Sequence, residues 1–285
     1  MVLSVGIVPC TPPYKTAELT AATGMRYRLA EWVIPQAPLL HYWVVPQAPL
    51  LLCSNRRVNT TPLTVVQPDG TARGGVIVIQ EAFGVTDHIV DVCNRVAAAG
   101  WVAVAPHLFH RQEGVTVLDY SDMDSAMAAI GKLKADEVDS DVDAAASALA
   151  ELGFEPSSIA IVGFCMGGTV AFHTAVRRQL GAASTFYGGG ITKGRFGYPA
   201  MDSVGDALQT PWHGFFGDLD EGIPFQDVET LREITATAPV DTEITRYAHG
   251  KHGFHCDDRP AVFDADAAAD AWGKTLEWFD AHVAR

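Results

Sequence analysis

The chain has 285 residues, of which 48% are hydrophobic and 19% are charged, a composition typical of a globular protein. Its 20 lysines and arginines against 34 aspartates and glutamates give a net charge of −14. Polyanions are bound mainly through clusters of Lys and Arg, and the sequence has no such cluster. We therefore expect binding neither to nucleic acid nor to an anionic membrane surface.

Five cysteines are scattered along the chain without paired spacing of the C-x-x-C type. This pattern predicts neither a disulfide framework nor a zinc site, and it is typical of a reducing compartment. The N-terminus has no basic region of the kind that opens a signal peptide, and the apolar stretch at 37–53 is interrupted by Pro46 and Pro49. We expect a cytoplasmic protein without a membrane span.

Residues 1–57 differ in character from the remainder of the chain. They contain a near-repeat, with Val-Ile-Pro-Gln-Ala-Pro-Leu-Leu at 33–40 and Val-Val-Pro-Gln-Ala-Pro-Leu-Leu at 44–51. Repeated prolines prevent a helix and disfavour a central strand. We predict an irregular, Pro-rich extension over 1–57, either disordered or loosely packed, or an apolar arm that contacts a partner subunit. A single regular domain is predicted over 58–285.

Strands and helices alternate along this domain. Short apolar runs predict strands at 75–80, 101–105 and 159–162, and later strand candidates are 182–186, 212–216 and 242–247. Apolar residues on one helical face predict a helix that starts near 85 and ends at Gly100, and a closing helix near 272–283. Helices are also predicted at 121–152, with a break near 136–141, and at 169–180. The alternation predicts an α/β domain with a mainly parallel central sheet flanked by helices.

One segment carries a strong chemical signal. Gly-Phe-Cys-Met-Gly at 163–167 joins a predicted strand to a predicted helix and has the G-x-S-x-G form, with Cys165 in the serine position. The glycines permit a sharp turn, the helix N-terminus favours a thiolate, and the N–H of Met166 can stabilise an oxyanion. From these residues alone, Cys165 is either a nucleophile or a small buried residue at a strand–helix junction.

Acid and histidine candidates follow the nucleophile in the order that this architecture requires. A predicted strand ends in Asp218 and Asp220, and a Gly-rich loop after the last strand carries His249, His252 and His255. The acid would orient the imidazole, which would exchange a proton with the sulfur. The glycines between the histidines argue against a metal site on one helix face, so no metal is expected.

Six segments, in this order along the chain, resemble motifs of the dienelactone hydrolase family, cysteine hydrolases of the α/β-hydrolase fold. They are Gln-Glu-Ala-Phe-Gly at 80–84, His-Ile-Val-Asp-Val at 88–92, Ala-Pro-His-Leu-Phe-His-Arg-Gln at 105–112, Gly-Phe-Cys-Met-Gly-Gly at 163–168, Gly-Asp-Leu-Asp at 217–220 and His-Gly-Phe at 252–254. The resemblance implies that Cys165 is the nucleophile and His252 the base. It implies Asp220 as the acid, with Asp218 as the other candidate.

The same resemblance implies roles for residues around the nucleophile. Glu81 would help to form the thiolate, and the N–H of Ala82 would join that of Met166 in the oxyanion hole. Phe83 would lie near the acyl pocket, and Tyr187 matches a segment that lines the site.

Substrate recognition matches the family less well. Arg111 matches the first of two arginines that hold a substrate carboxylate in the family's well-known members. The position of the second is Cys256, and Arg259 stands three residues further on. A single arginine can still bind a carboxylate through two hydrogen bonds.

We therefore expect cysteine-dependent hydrolysis of a lactone or small ester through a thioester, without a cofactor, by a monomer or weak homodimer. The alternative from another class is a non-catalytic or redox-sensing thiol protein on the same fold, because an activated Cys165 would also oxidise readily. An obvious resolving cysteine is missing, although Cys256 lies close in sequence to His252.

Overall fold

The computed structural model describes residues 6–9, 15–20, 26–31, 61–195, 197–201 and 207–284. The chain divides into two compact units, Met1–Asn55 and Arg56–Arg285. The first contains an antiparallel sheet of strands β1 (Gly6–Pro9), β2 (Lys15–Thr20) and β3 (Arg26–Glu31). These three strands lie within residues 1–57, which were predicted to be irregular. The proline-containing near-repeat lies outside the described residues, so the expectation for 1–57 as a whole stays a prediction.

The described part of the second unit is built on a seven-stranded sheet with the order β10-β9-β8-β7-β5-β6-β4. Its strands are β4 (Leu63–Val66), β5 (Gly75–Ile79), β6 (Val102–Pro106), β7 (Ile159–Phe164), β8 (Ala182–Phe186), β9 (Trp212–Gly217) and β10 (Thr242–Tyr247). Strand β4 pairs with β6 in antiparallel orientation and the other pairs are parallel. The predicted mainly parallel sheet is confirmed, and β4 is an edge strand that the sequence did not predict.

Burial explains why the inner strands could be predicted. Strands β5 to β9 are buried along their whole length, as expected for parallel strands covered on both faces, and β5, β6 and β7 appear in the sequence as continuous apolar runs. The edge strand β4 is only partly buried. Its four residues therefore give a weaker sequence signal.

The helices are α1 (Asp87–Ala98), α2 (Met123–Ile130), α3 (Ala135–Glu151), α4 (Met166–Arg177), α5 (Phe225–Thr235) and α6 (Ala265–His282). Helices α1, α3, α4 and α6 pack against the strands of the sheet. Within the described ranges, every helix is too short or too polar to cross a lipid bilayer.

The predicted helix break near 136–141 is wrong. The break lies at residues 131–134, after Gly131 ends α2, and α3 continues through the acidic run. Asp136 and Glu137 lie in the first turn of α3, where carboxylates are favourable, and the buried Asp141 is paired with Arg111. Helix α4 also begins three residues before the predicted 169, directly after Cys165.

The parallel sheet brings the predicted site residues to one edge. Glu81 follows β5, Cys165 follows β7, Tyr187 follows β8, Asp220 follows β9 and His252 follows β10. Carboxyl ends of parallel strands lie at the same edge of a sheet, where ligands of α/β proteins bind. Segments far apart in the sequence thus meet in one place.

Candidate active site

Cys165 occupies a sharp turn between β7 and α4. Its φ is +55°, in a region that L-residues rarely adopt. A Cβ atom on Gly163 would lie 1.9 Å from the carbonyl oxygen of Gly167, and one on Gly167 would lie 2.4 Å from the carbonyl oxygen of Gln80. The two glycines are therefore required for the close approach of backbone that holds this turn.

Three side chains form a continuous hydrogen-bonded relay at the turn. His252 Nε2 lies 3.1 Å from Cys165 Sγ, and His252 Nδ1 lies 2.6 Å from Asp220 Oδ2. The Asp220 residue is only 4% exposed, and its other oxygen accepts a hydrogen bond from the backbone N–H of Gly222 at 2.8 Å. The carboxylate is thus held in place and can orient the imidazole toward the sulfur.

The structure distinguishes the two candidate acids. Asp218 points away from the relay and accepts a hydrogen bond from Arg246 Nε at 2.7 Å. Asp220 is buried against His252. The structure therefore places Asp220, rather than Asp218, in contact with the imidazole.

Charge around His252 favours its protonated form. Burial by itself lowers the pKa of His252, but the anionic sulfur of Cys165 and the Asp220 carboxylate outweigh it and hold that pKa well above its usual value. Because Cys165 also lies at the N-terminus of α4, the helix dipole stabilises a negative sulfur. The charges around His252 thus favour its imidazolium form.

Two backbone N–H groups flank the sulfur. Met166 is the first residue of α4, so its N–H has no acceptor within the helix. Ala82 follows β5 and lines the same cavity as Cys165 and Met166. Both predicted oxyanion-hole residues thus line the cavity with Cys165, and their role stays a prediction.

Glu81 and Tyr187 form a buried pair behind the relay. The Tyr187 hydroxyl donates to Glu81 Oε1 at 3.2 Å, while Glu81 Oε2 has no hydrogen-bond partner among the described residues. Burial and the neighbouring Glu81 carboxylate raise the pKa of Tyr187 well above its usual value, so its hydroxyl remains a donor. Tyr187 is fully buried, and it lies outside the lining of the cavity over Cys165. It holds Glu81, and the substrate contact expected of Tyr187 is not seen.

Arg111 also differs from its expected role. Its guanidinium makes two hydrogen bonds to Asp141, at 2.6 and 2.8 Å, and it lies outside the lining of the cavity over Cys165. Asp141 follows the buried Val138 on α3 by three residues, so the two lie on the same buried face of the helix. A carboxylate on a buried face needs a cationic partner, and this was the sequence signal for the pair. Arg259, in contrast, does line the cavity.

The cavity over Cys165 has a volume of about 520 Å³. Phe83 lines it as expected. Lining residues that the sequence did not predict are Met123, Met127, Ile130, Arg195, Leu219, Ile223, Lys251 and Val262. They come from α2 and from loops, and they reach the cavity through tertiary packing, so no local pattern marks them.

Comparison with known proteins agrees with this architecture. The model of the "Dienelactone hydrolase family" matches residues 63–283. A carboxymethylenebutenolidase-like protein of Yersinia pestis is 36% identical over 210 residues, which cover 73% of this chain and 78% of that protein. One from Escherichia coli K12 is 34% identical over 207 residues, covering 72% and 75% of the two chains.

Solved structures show the same relationship. The crystal structure of a dienelactone hydrolase-like protein from Klebsiella pneumoniae has a TM-score of 0.69 and 31% identity, covering 77% of this chain and 92% of that one. An esterase from Thermogutta terrifontis shares the fold, with a TM-score of 0.56, 21% identity and coverage of 77% and 87%. By sequence over most of its length and by its α/β-hydrolase fold, the chain belongs to the dienelactone hydrolase family of carboxymethylenebutenolidase-like hydrolases.

Proposed function

We propose that this protein hydrolyses a lactone or a small ester through a thioester on Cys165. The observation that carries the proposal is the relay in which His252 lies 3.1 Å from the sulfur and 2.6 Å from the buried Asp220. A cysteine, a histidine and a carboxylate in this order are the parts that nucleophilic acyl transfer needs.

Acylation begins with attack of the thiolate on the substrate carbonyl carbon. The N–H groups of Ala82 and Met166 stabilise the oxyanion, an effect of about 3 kcal/mol per donor. When the tetrahedral intermediate collapses, the C–O bond to the leaving group breaks, and the protonated His252 gives its proton to the alkoxide. The product is a thioester and an alcohol, which stays attached to the acyl group when the substrate is a lactone.

Deacylation uses the same groups in reverse. Neutral His252 takes a proton from water, whose oxygen attacks the thioester carbonyl. Collapse of this second intermediate breaks the C–S bond, and it restores the thiolate and the imidazolium. Asp220 keeps the imidazole oriented through both steps. Glu81 is the further carboxylate at the site. Its Oε2 is buried without a hydrogen-bond partner among the described residues, and we assign to Glu81 a supporting role beside His252 in thiolate formation.

Carboxylate recognition differs from that implied by the resemblance. Because Arg111 is bound to Asp141 and lies outside the cavity lining, the cations that line the cavity are Arg195, Lys251 and Arg259. The Arg259 guanidinium lies 5.5 Å from the Phe83 ring centre and 5.7 Å from that of Tyr120. We therefore assign a substrate carboxylate to Arg259, beside Phe83, rather than to Arg111.

Kinetics with a panel of activated esters and lactones, including cis- and trans-dienelactone, test this function. Cys165→Ala and Cys165→Ser should each lower kcat/KM at least about a thousandfold. Quenched reactions should show the acyl group on the peptide that contains Cys165. Cys93→Ala, which removes a buried free cysteine on α1, is the matched control and should retain turnover. Full activity in both Cys165 variants would refute the proposal.

The same protein can be tested for redox sensing. Burial raises the pKa of Cys256 to about 12, which keeps it protonated and makes it a poor resolving thiol. We therefore expect mild peroxide to inactivate the hydrolase without forming a reversible disulfide. A reversible disulfide of Cys165 in a protein without hydrolase activity would favour the sensor.

A further inference from the structure

Helix α2 presents an apolar row to the cavity over Cys165. Met123, Met127 and Ile130 are spaced four and three residues apart, which places them on one face of a helix, and all three line the cavity. The helix is anchored at its start by Asp122, whose side chain accepts a hydrogen bond from the Ser125 N–H at 3.0 Å. We call Met123, Met127 and Ile130 the α2 wall.

Three exposed apolar side chains line this cavity. Met123 is 44% exposed, Met127 46% and Leu219 52%, and all three line the cavity. Large apolar side chains left in water are unfavourable, and a contiguous group of them marks a binding surface. Methionine is flexible and polarizable, so it adapts to unbranched hydrocarbon chains of differing length.

The cavity floor adds further apolar surface. Phe83 is 2% exposed, and Val262 is partly buried. Arg259 lies near the faces of Phe83 and Tyr120 and so contributes the broad side of its guanidinium to the same region. A cavity of about 520 Å³ exceeds what the reacting carbonyl group alone would fill.

We infer that the α2 wall binds an alkyl chain carried by the ester or lactone, so that substrates with chains of about four to eight carbons react faster than acetyl esters. This inference rests on the proposed function, because the chain is bound while the carbonyl group is at Cys165. The chain can belong to the acyl group or to the alcohol, and the experiment separates these two sources.

Burial of each methylene group favours binding roughly fourfold. Four added methylenes distinguish hexanoate from acetate, and the wall is partly open to solvent, so the full effect will not be reached. We expect kcat/KM for p-nitrophenyl hexanoate to exceed that for p-nitrophenyl acetate at least tenfold. Ethyl and hexyl acetate form the second series, in which the chain lies on the alcohol.

The variant Met123→Gln/Met127→Gln keeps side-chain length and helix propensity but makes the wall polar. It should lower the hexanoate-to-acetate ratio of kcat/KM at least fivefold. Met127→Leu, in which the side chain stays apolar, should keep the ratio within twofold of that of the unmodified protein. Leu152→Gln is the matched control: it removes an equally exposed apolar residue outside the cavity and should leave the ratio unchanged.

Three results would overturn the inference while the proposed function stands. The first is Cys165-dependent hydrolysis with no chain preference in either series. The second is a chain preference that survives in the double glutamine variant. The third is a monosuccinate ester that reacts faster than the hexanoate ester and whose hydrolysis depends on Arg259. The cavity would then bind a carboxylate rather than an alkyl chain. Absence of Cys165-dependent hydrolysis of every substrate would instead refute the proposed function, and the inference with it.

Discussion

His255 makes the stability of this fold depend on pH. Its ring is fully buried, and neither ring nitrogen has a hydrogen-bond partner among the described residues. It packs against Phe164, Phe186 and Trp272, with ring centres 5.1, 5.0 and 5.8 Å away, and against His88 at 5.5 Å. An imidazole in these surroundings is strongly disfavoured in its charged form.

The size of the effect follows from proton linkage. Burial lowers the pKa of His255 to about 3, with a smaller contribution from His88 and Arg95 that Asp257 opposes. In the unfolded chain the same ring has a pKa of about 6.5. Between these values the unfolded state binds a proton that the native state does not, so stability falls as the pH falls from about 6.5 toward 3. Between pH 7 and pH 5 this one residue accounts for about 2 kcal/mol of lost stability.

Replacement of His255 by phenylalanine tests this value. The free energy of unfolding is measured by urea titration at pH 7 and pH 5, and the loss between the two should be about 2 kcal/mol smaller in His255→Phe than in the unmodified protein. Any packing change in the variant affects the free energy of unfolding equally at both pH values and cancels in the difference between them. The titrations of the buried His173 and His213 contribute equally to both proteins and cancel in the comparison. His249→Gln, at an exposed position, is the control and should keep the unmodified dependence. Equal losses in His255→Phe and the unmodified protein would refute the reasoning.

Two further predictions concern carboxylates. Asp220→Asn should lower kcat/KM for an activated ester about a thousandfold because the imidazole loses its orienting charge. The control Asp218→Asn breaks only the exposed contact with Arg246, and its kcat/KM should stay within twofold of the unmodified protein. Equal losses in the two variants would contradict the assignment of the acid. Asp141→Asn should lower the free energy of unfolding by about 3 kcal/mol, since it leaves the Arg111 charge without its buried partner. A loss below about 1 kcal/mol in urea titration would contradict this.

Local patterns were sufficient for the inner sheet and for the turn at Cys165. Strands β5 to β9 are buried throughout, and β5, β6 and β7 appear as continuous apolar runs. The turn at Cys165 depends on glycines two residues to either side, because only they allow the backbone contacts seen there. Both features are set by residues adjacent in the sequence, and both could be predicted from it.

Other features depend on partners far away in the chain. The choice between Asp218 and Asp220 was left to the resemblance, and it is set in the structure by which carboxylate turns inward after β9. Arg111 fits a substrate-binding motif, yet it binds Asp141, thirty residues further along the chain. The acidic run on α3 suggested a break, but its first residues lie in the first turn of a continuous helix.

The sequence by itself determined the α/β class and the order of the cysteine, carboxylate and histidine candidates, because apolar runs, glycine spacing and chain order are local properties. Only the tertiary structure decided which side chains line the cavity over Cys165. Arg111 and Tyr187 lie outside this lining, whereas Arg259 and the α2 wall belong to it. The physical reason is that a pocket is formed where separate elements pack together, and buried charges select their partners by distance in space.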